Sequence, residues 1–296
     1  MAAEESPLNL YPKTGLLLVG MGMSRMEGMT QEAIHAASHA DHRRYEAYTA
    51  LWPDNELARL ENAIGSIQRV MRPEVEDPEA LFALAQKSLV ALLVVGDPLQ
   101  ATTHVDLQLR AAELGVECRV YHGVSITSVV TGAVGLSNYK FGRQTTLTYP
   151  YGNWVATSPL EVLASNWEQN LHTLALLDLD PTGSGTGEQR PMRPEDAVQA
   201  MRLMWEKANE TTEESDEDEG PLALFRQTAT KRYLQQNFED IDVVLCSDMG
   251  TYEQSMVATS LGALAMERGG RLNCLIFPAG TGEVEEKAVL RWKRGA

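Results

Sequence analysis

Lysine is scarce in this chain: seven residues (13, 87, 140, 207, 231, 287 and 293) among 296, the other basic residues being Arg. Lys and Arg together number 25 against 41 Asp and Glu, a net charge of −16. That balance excludes broad, non-specific attachment to nucleic-acid phosphates or anionic lipid, which needs clustered cations. Cysteine is rarer still. Cys118, Cys246 and Cys274 are odd in number and widely spaced, and no C-x-x-C occurs. A disulfide framework and a cysteine zinc site are thereby excluded, and the expectation is buried, reduced thiols in a cytoplasmic protein. Long apolar runs are missing too. The run from Gly15 to Val19 has five residues, far short of the roughly 18–20 of a membrane span. Glu4 and Glu5 stand where a secretory signal needs positive charge.

What is present is a globular core composition, with 44% hydrophobic and 22% charged residues. At roughly 100–200 residues per domain the length predicts two domains or one large one. Short, continuous apolar runs, 15–19 and 91–95, and a further strand at 116–121 alternate with helical patterns beginning near Thr30 and Thr102. Such runs are covered on both faces, which predicts an α/β sheet with parallel pairing. Later strands are expected at 144–149, 172–179, 241–247 and 272–277, with helices at 159–170, 194–208 and 221–234. A basic tail, Lys287 to Arg294, closes the chain. The expected division is a flexible N-terminal extension 1–14, an N-terminal α/β domain 15–124, and a C-terminal α/β domain 125–296 with an acidic loop 209–220. Glu213 to Glu219 carries six of the acidic residues and should stay solvated by self-repulsion. Thr182 to Gly187 is glycine-rich but lacks the Lys-Ser/Thr of a phosphate-binding loop, so it reads as a linker.

Two strand ends are punctuated by glycine. Gly20-Met-Gly22-Met23 removes Cβ atoms where a ligand can lie against the main chain, yet Arg25 stands where a dinucleotide fingerprint needs its third glycine. Gly96-Asp97-Pro98-Leu-Gln100-Ala-Thr102-Thr103-His104 offers a turn, an acceptor carboxylate and hydroxyls able to cap the next helix. Ligands in open α/β folds bind at strand ends, so the two loops point to one cleft. His35 and His39 have chelating i, i+4 spacing with His42 beyond, but lack H-E-x-x-H and a completing carboxylate or cysteine set, so no metal site is expected. His104, His122 and His172 read as partly buried histidines beside apolar runs. There is no G-x-S-x-G elbow and no cysteine with an identifiable histidine partner, which removes the usual hydrolase signals.

Taken together, Leu17 to Met23, Glu46-Ala-Tyr48-Thr49, Gly96 to His104 and His122-Gly-Val-Ser125-Ile126 resemble the diphthine synthases of the tetrapyrrole methylase superfamily. Tyr139-Lys-Phe-Gly142, Tyr149 to Ser158 and Leu171 to Asp178 continue the likeness, which is close over residues 15 to 180 and weaker beyond. The resemblance implies a two-domain α/β, tetrapyrrole-methylase-like fold with mixed sheets and S-adenosyl-L-methionine in the interdomain cleft, S-adenosyl-L-homocysteine being the product. It further implies a homodimer and successive N-methylations of the modified histidine of translation elongation factor 2 in diphthamide biosynthesis, with no direct nucleic-acid or membrane contact. Carried over by position, the cofactor contacts are Met23, Asp97, Gln100, Ser125, Ile126, Leu177, Met249 and Asn273. The chain departs from the family at Cys246-Ser-Asp-Met-Gly250 and at Asn273, where a His is common.

The reaction so implied is in-line displacement by an unprotonated amine, and the sequence alone names no catalytic residue or general base. Two alternatives stay open: a methyltransferase acting on a tetrapyrrole or corrin precursor, and a non-catalytic, translation-associated binding protein. The acidic run lies outside what the core pattern needs. Its deletion, Glu213 to Glu219, should leave S-adenosylhomocysteine affinity unchanged by calorimetry, and loss of folding would show a structural role instead.

Overall fold

The structure is a computed structural model that describes residues 11–184, 186, 189–211 and 220–294. The acidic run Glu213 to Glu219 and the first ten residues lie outside the described residues. The chain divides between Thr127 and Ser128 into two compact units.

The first unit is built on a five-stranded sheet of β1 (Gly15–Gly20), β2 (His42–Glu46), β3 (Gln68–Val70), β4 (Leu89–Val94) and β5 (Cys118–Tyr121). The order is β3-β2-β4-β1-β5, and every pair is parallel. β1 and β4 are buried throughout, as their continuous apolar runs require. Alternate residues feed two cores. Leu17, Val19, Ala91 and Leu93 pack with helices α1 (Gln31–His39) and α2 (Asp54–Ile64). Leu16, Leu18, Val90 and Leu92 pack with α3 (Arg72–Glu76), α4 (Glu79–Ala85) and α5 (Val105–Glu113). Thr30 caps α1, its hydroxyl accepting from the Ala33 amide at 3.1 Å. Arg43 closes the other end by donating to the carbonyls of Ala37, Ser38 and Ala40, so this residue is engaged within the unit.

The predicted capping of α5 by Thr102 or Thr103 is not what forms. The helix opens at His104 without a side-chain cap, and the Thr102 hydroxyl donates back to the Pro98 carbonyl. The acceptor is the Pro98 carbonyl within the β-turn Asp97–Gln100, which the Gln100 amide closes on the Asp97 carbonyl at 3.2 Å. Strands β2 and β3 were not expected either. His42-Arg-Arg-Tyr-Glu46 has no apolar run, because much of β2 faces solvent or α1.

Helix α6 (Ile126–Ala133) follows β5, and the second unit then forms a mixed sheet. Its strands are β6 (Thr145–Leu147), β7 (Thr173–Leu177), β8 (Asp242–Ser247), β9 (Ser255–Ser260) and β10 (Asn273–Phe277), in the order β6-β7-β10-β8-β9. β6 pairs parallel with β7 and the remaining pairs are antiparallel. Helices α7 (Ser158–Glu168), α8 (Pro194–Thr211), α9 (Pro221–Tyr233) and α10 (Leu261–Leu264) supply its core, with Leu160, Leu163, Met201, Met204 and Leu261 all essentially inaccessible. Cys246 and Cys274 are free, buried and directly opposite on β8 and β10, while Cys118 is half-buried. The segment read as a basic tail instead begins inside α11 (Glu283–Leu290). Lys287 pairs with Glu283, Arg294 with Glu267, and the Trp292 indole donates to the Val134 carbonyl at 2.9 Å.

α11 is held by Glu285. Its carboxylate accepts from the amides of Ser137 (2.9 Å) and Gly282 (3.1 Å) and meets His172 Nε2 at 3.2 Å. His172 Nδ1 in turn accepts from the Ala279 amide at 2.9 Å, so the fully buried ring is neutral with its proton on Nε2. Burial raises the Glu285 carboxyl, but the two amides and His172 outweigh it and bring it down to about 2. Burial likewise lowers His172 below the ordinary histidine value, only partly offset by Glu285. A depressed carboxyl stabilises the fold fully above its unfolded value, about 4.3, and the contribution disappears as pH falls toward 2. The lowered histidine acts in the same direction, since unfolding takes up a proton below about pH 6.5. Urea unfolding of Glu285→Gln should therefore show its largest deficit against the wild type at pH 7, shrinking steadily toward pH 2.

Candidate functional site

The carboxyl ends of β4, β1 and β5 lie side by side. The connection after β1 runs toward β2 and the one after β4 crosses to β5, so the chain reverses direction between β1 and β4, where open α/β folds bind ligands. Three glycines bring these ends into backbone contact. A Cβ on Gly20 would stand 2.5 Å from the Gly123 nitrogen and 2.9 Å from the Gly96 oxygen, and a Cβ on Gly123 would collide with that same oxygen. Gly22 and Gly96 both have positive φ (63° and 78°) and exchange amide hydrogen bonds of 3.1 and 2.9 Å. The amides of this G-x-G turn are thus spent on joining two strand ends.

Asp97 ties the third strand to the other two. It is 6% exposed; Oδ1 accepts from the Leu99 amide at 2.9 Å, while Oδ2 accepts from the Gly123 amide at 3.2 Å and meets His122 Nδ1 at 2.7 Å. Ser125 stands at the start of α6, its hydroxyl oxygen accepting from the Thr127 amide (3.3 Å) and the Thr127 hydroxyl (3.1 Å). That hydroxyl also lies 3.4 Å from Gln100 Oε1. Gln100 is exposed, and Met23 and Ile126 are half-buried. Met23, Asp97, Gln100, Ser125 and Ile126 are therefore gathered at one edge of the first sheet.

The other three predicted contacts belong to the second unit. Leu177 ends β7, Asn273 begins β10 beside it, and Met249 follows β8; all three lie toward one end of that sheet. Leu177 and Met249 are buried. Asn273 has its full hydrogen-bonding capacity engaged: Oδ1 accepts from Gly270 N (2.7 Å) and Ser247 Oγ (2.8 Å), and Nδ2 faces the carbonyls of Gly270 and Met192.

Sequence reasoning missed a second tie beneath the first-unit edge. Glu46, wholly buried at the end of β2, meets His104 Nε2 at 2.7 Å and accepts from the Thr49 hydroxyl. His104 Nδ1 lies 3.0 Å from the Pro98 carbonyl, so both ring nitrogens face acceptors. Burial pushes the His104 ring down, but Glu46 and the Pro98 carbonyl outweigh it and leave its pKa above the ordinary histidine value. The 57 residues between Glu46 and His104 hide this pairing from any local pattern. His35 and His39 are exposed on α1, with His39 Nδ1 turned to the His35 carbonyl, and among the described residues no His, Cys, Asp and Glu cluster could hold a metal ion.

The loops 20–23, 96–104 and 122–126 contain no Lys or Arg. That donor set suits a ligand without phosphate, held by backbone groups, hydroxyls and apolar side chains. S-adenosylmethionine fits this description, whereas the G-x-G amides that a dinucleotide's phosphates would need are already donated to the carbonyls of Val94 and Gly96.

Removing one partner of a buried ion pair strands the other, at about 3–5 kcal/mol. His104→Ala should lose stability of that order in urea unfolding at pH 6. A raised histidine contributes fully below about pH 6.5 and less as pH climbs through its folded value, so the gap to the wild type should narrow in alkali.

The sequence profile of the tetrapyrrole (corrin/porphyrin) methylases matches residues 15–265. A diphthine synthase of Methanothermobacter thermautotrophicus is 31% identical over 272 residues, spanning 91% of this chain and 92% of the relative. One from Methanospirillum hungatei is 30% identical over 198 residues, 66% of this chain and 76% of the relative. A crystal structure of diphthine synthase superposes with a TM-score of 0.74 at 25% identity, covering 94% of this chain and 95% of that one. With its parallel first sheet and mixed second sheet, the chain belongs to the tetrapyrrole methylase family and, within it, to the diphthine synthases.

Proposed function

We propose that this chain is an S-adenosylmethionine-dependent methyltransferase that methylates the modified histidine of translation elongation factor 2, in successive N-methylations, during diphthamide biosynthesis. The observation that carries the reading is the glycine-closed meeting of the ends of β1, β4 and β5, with no Lys or Arg in the loops 20–23, 96–104 and 122–126, in a chain belonging to the diphthine synthases. S-adenosylmethionine supplies an electrophilic methyl group on a sulfonium. In the first unit the chain's part is to bind and orient it. Met23 and Ile126 offer half-buried apolar surface, Gln100 an exposed amide, and Ser125 a hydroxyl at a helix start. Asp97 shapes the loops through its bonds to Leu99 and Gly123. Leu177, Met249 and Asn273 are the contacts proposed from the second unit. Holding donor and acceptor in attack geometry is worth up to several kcal/mol of barrier. The protein is proposed to act as a cytoplasmic homodimer.

Calorimetry should show S-adenosylhomocysteine binding, weakened about tenfold or more in Asp97→Ala, since hydrogen bonds to a charged group are worth about 1.5–3 kcal/mol each. Unchanged affinity would remove Asp97 from the site. Methyl incorporation followed by mass spectrometry should favour elongation factor 2 carrying the modified histidine over a corrinoid precursor. The reverse preference would reassign the substrate, and binding without transfer to either would mark a non-catalytic protein.

A further inference from the structure

The structure points to a catalytic group that the sequence does not name: we propose that His122 is the base that deprotonates the acceptor amine. This rests on the methyltransferase reading above. His122 follows β5 directly, and its side chain is 70% exposed although its partner Asp97 is 8% exposed. Asp97 does not need it for satisfaction, because its oxygens already accept from two backbone amides. The third bond, 2.7 Å from His122 Nδ1, therefore orients the ring at little benefit to folding.

The imidazole must be the donor in that bond, since a carboxylate has only acceptors. The proton is thereby fixed on Nδ1, and the basic lone pair of Nε2 is left facing solvent beside the strand ends. A buried carboxylate that sets the tautomer of an exposed histidine is the arrangement by which histidine serves as a general base. The other histidines are placed differently. His104 and His172 are buried with both nitrogens engaged. His35 and His39 lie on α1, and His42 starts β2 at the opposite edge of the sheet.

An ammonium has no lone pair, so each transfer requires a proton to leave first. His122 Nε2 takes the N–H proton. The freed amine lone pair forms the N–C bond as the C–S bond breaks, and that electron pair stays on sulfur as S-adenosylhomocysteine leaves. The imidazolium then returns its proton to water, ready for the next methylation.

His122→Asn keeps a donor at the Nδ1 position but has no basic nitrogen. Its kcat should fall at least 100-fold, within the range of lost general bases, while S-adenosylhomocysteine affinity stays within about threefold. Added imidazole should restore part of kcat to His122→Ala. In the free wild-type protein, long-range proton–nitrogen NMR should find neutral His122 protonated on Nδ1. An Asn variant with wild-type kcat, or a ring protonated on Nε2, would overturn the assignment. Wild-type protein that binds S-adenosylhomocysteine but methylates no elongation factor 2 would instead overturn the reading on which it rests.

Discussion

The first unit depends on one constraint: three parallel strands must end within backbone contact of one another, and a buried carboxylate must then be satisfied at their junction. Gly20, Gly96 and Gly123 make the approach sterically possible, and Asp97 converts it into bonds between loops that are distant in sequence. A carboxylate taken out of water is stable only when amides or cations meet it, so the geometry of the loops follows from satisfying Asp97. Glu46 and His104 repeat the principle one layer deeper, anchoring the far end of the Gly96–His104 turn to β2. Between them the two carboxylates leave that turn few alternative conformations, which is what a site acting by positioning requires.

The second unit solves its own version of the problem. Glu285 gathers the Ser137 and Gly282 amides and His172, joining α11 to the loop after α6 and to the start of β7. Asp248 does the same at the other end of the sheet, accepting from the amides of Arg271 and Leu272 at 3.0 Å each. Asp248 adopts a left-handed backbone (φ 47°), a conformation that Asp tolerates better than most residues. The Cys246–Gly250 segment is thus a well-anchored turn.

Much of the frame was legible because burial on both faces leaves an unmistakable trace. The runs that became β1, β4 and β7 are nearly uninterrupted Leu, Val and Ala, and β8 and β10 have apolar centres, Val-Val-Leu-Cys and Cys-Leu-Ile-Phe. The strands that escaped notice, β2, β3 and β9, lie at or near sheet edges and mix polar with apolar residues. Among site residues, Gly96 and Asp97 were marked by their turn chemistry. His122 was not, because its significance lies in a partner 25 residues upstream.

The sequence by itself determined the composition-level exclusions, the glycine-punctuated strand ends and the set of motifs that place the chain among the diphthine synthases. These are properties of residues close together along the chain, where sterics and hydrophobic period act locally. Only the tertiary structure decided what the polar groups in those motifs do. It turned the G-x-G amides into a strand clasp, drew the Thr102 hydroxyl back to Pro98, and set Asp97 against His122. The reason is topological: β4 and β5 flank β1, so groups far apart in sequence become neighbours, and a buried acceptor bonds whichever donors the crossover delivers.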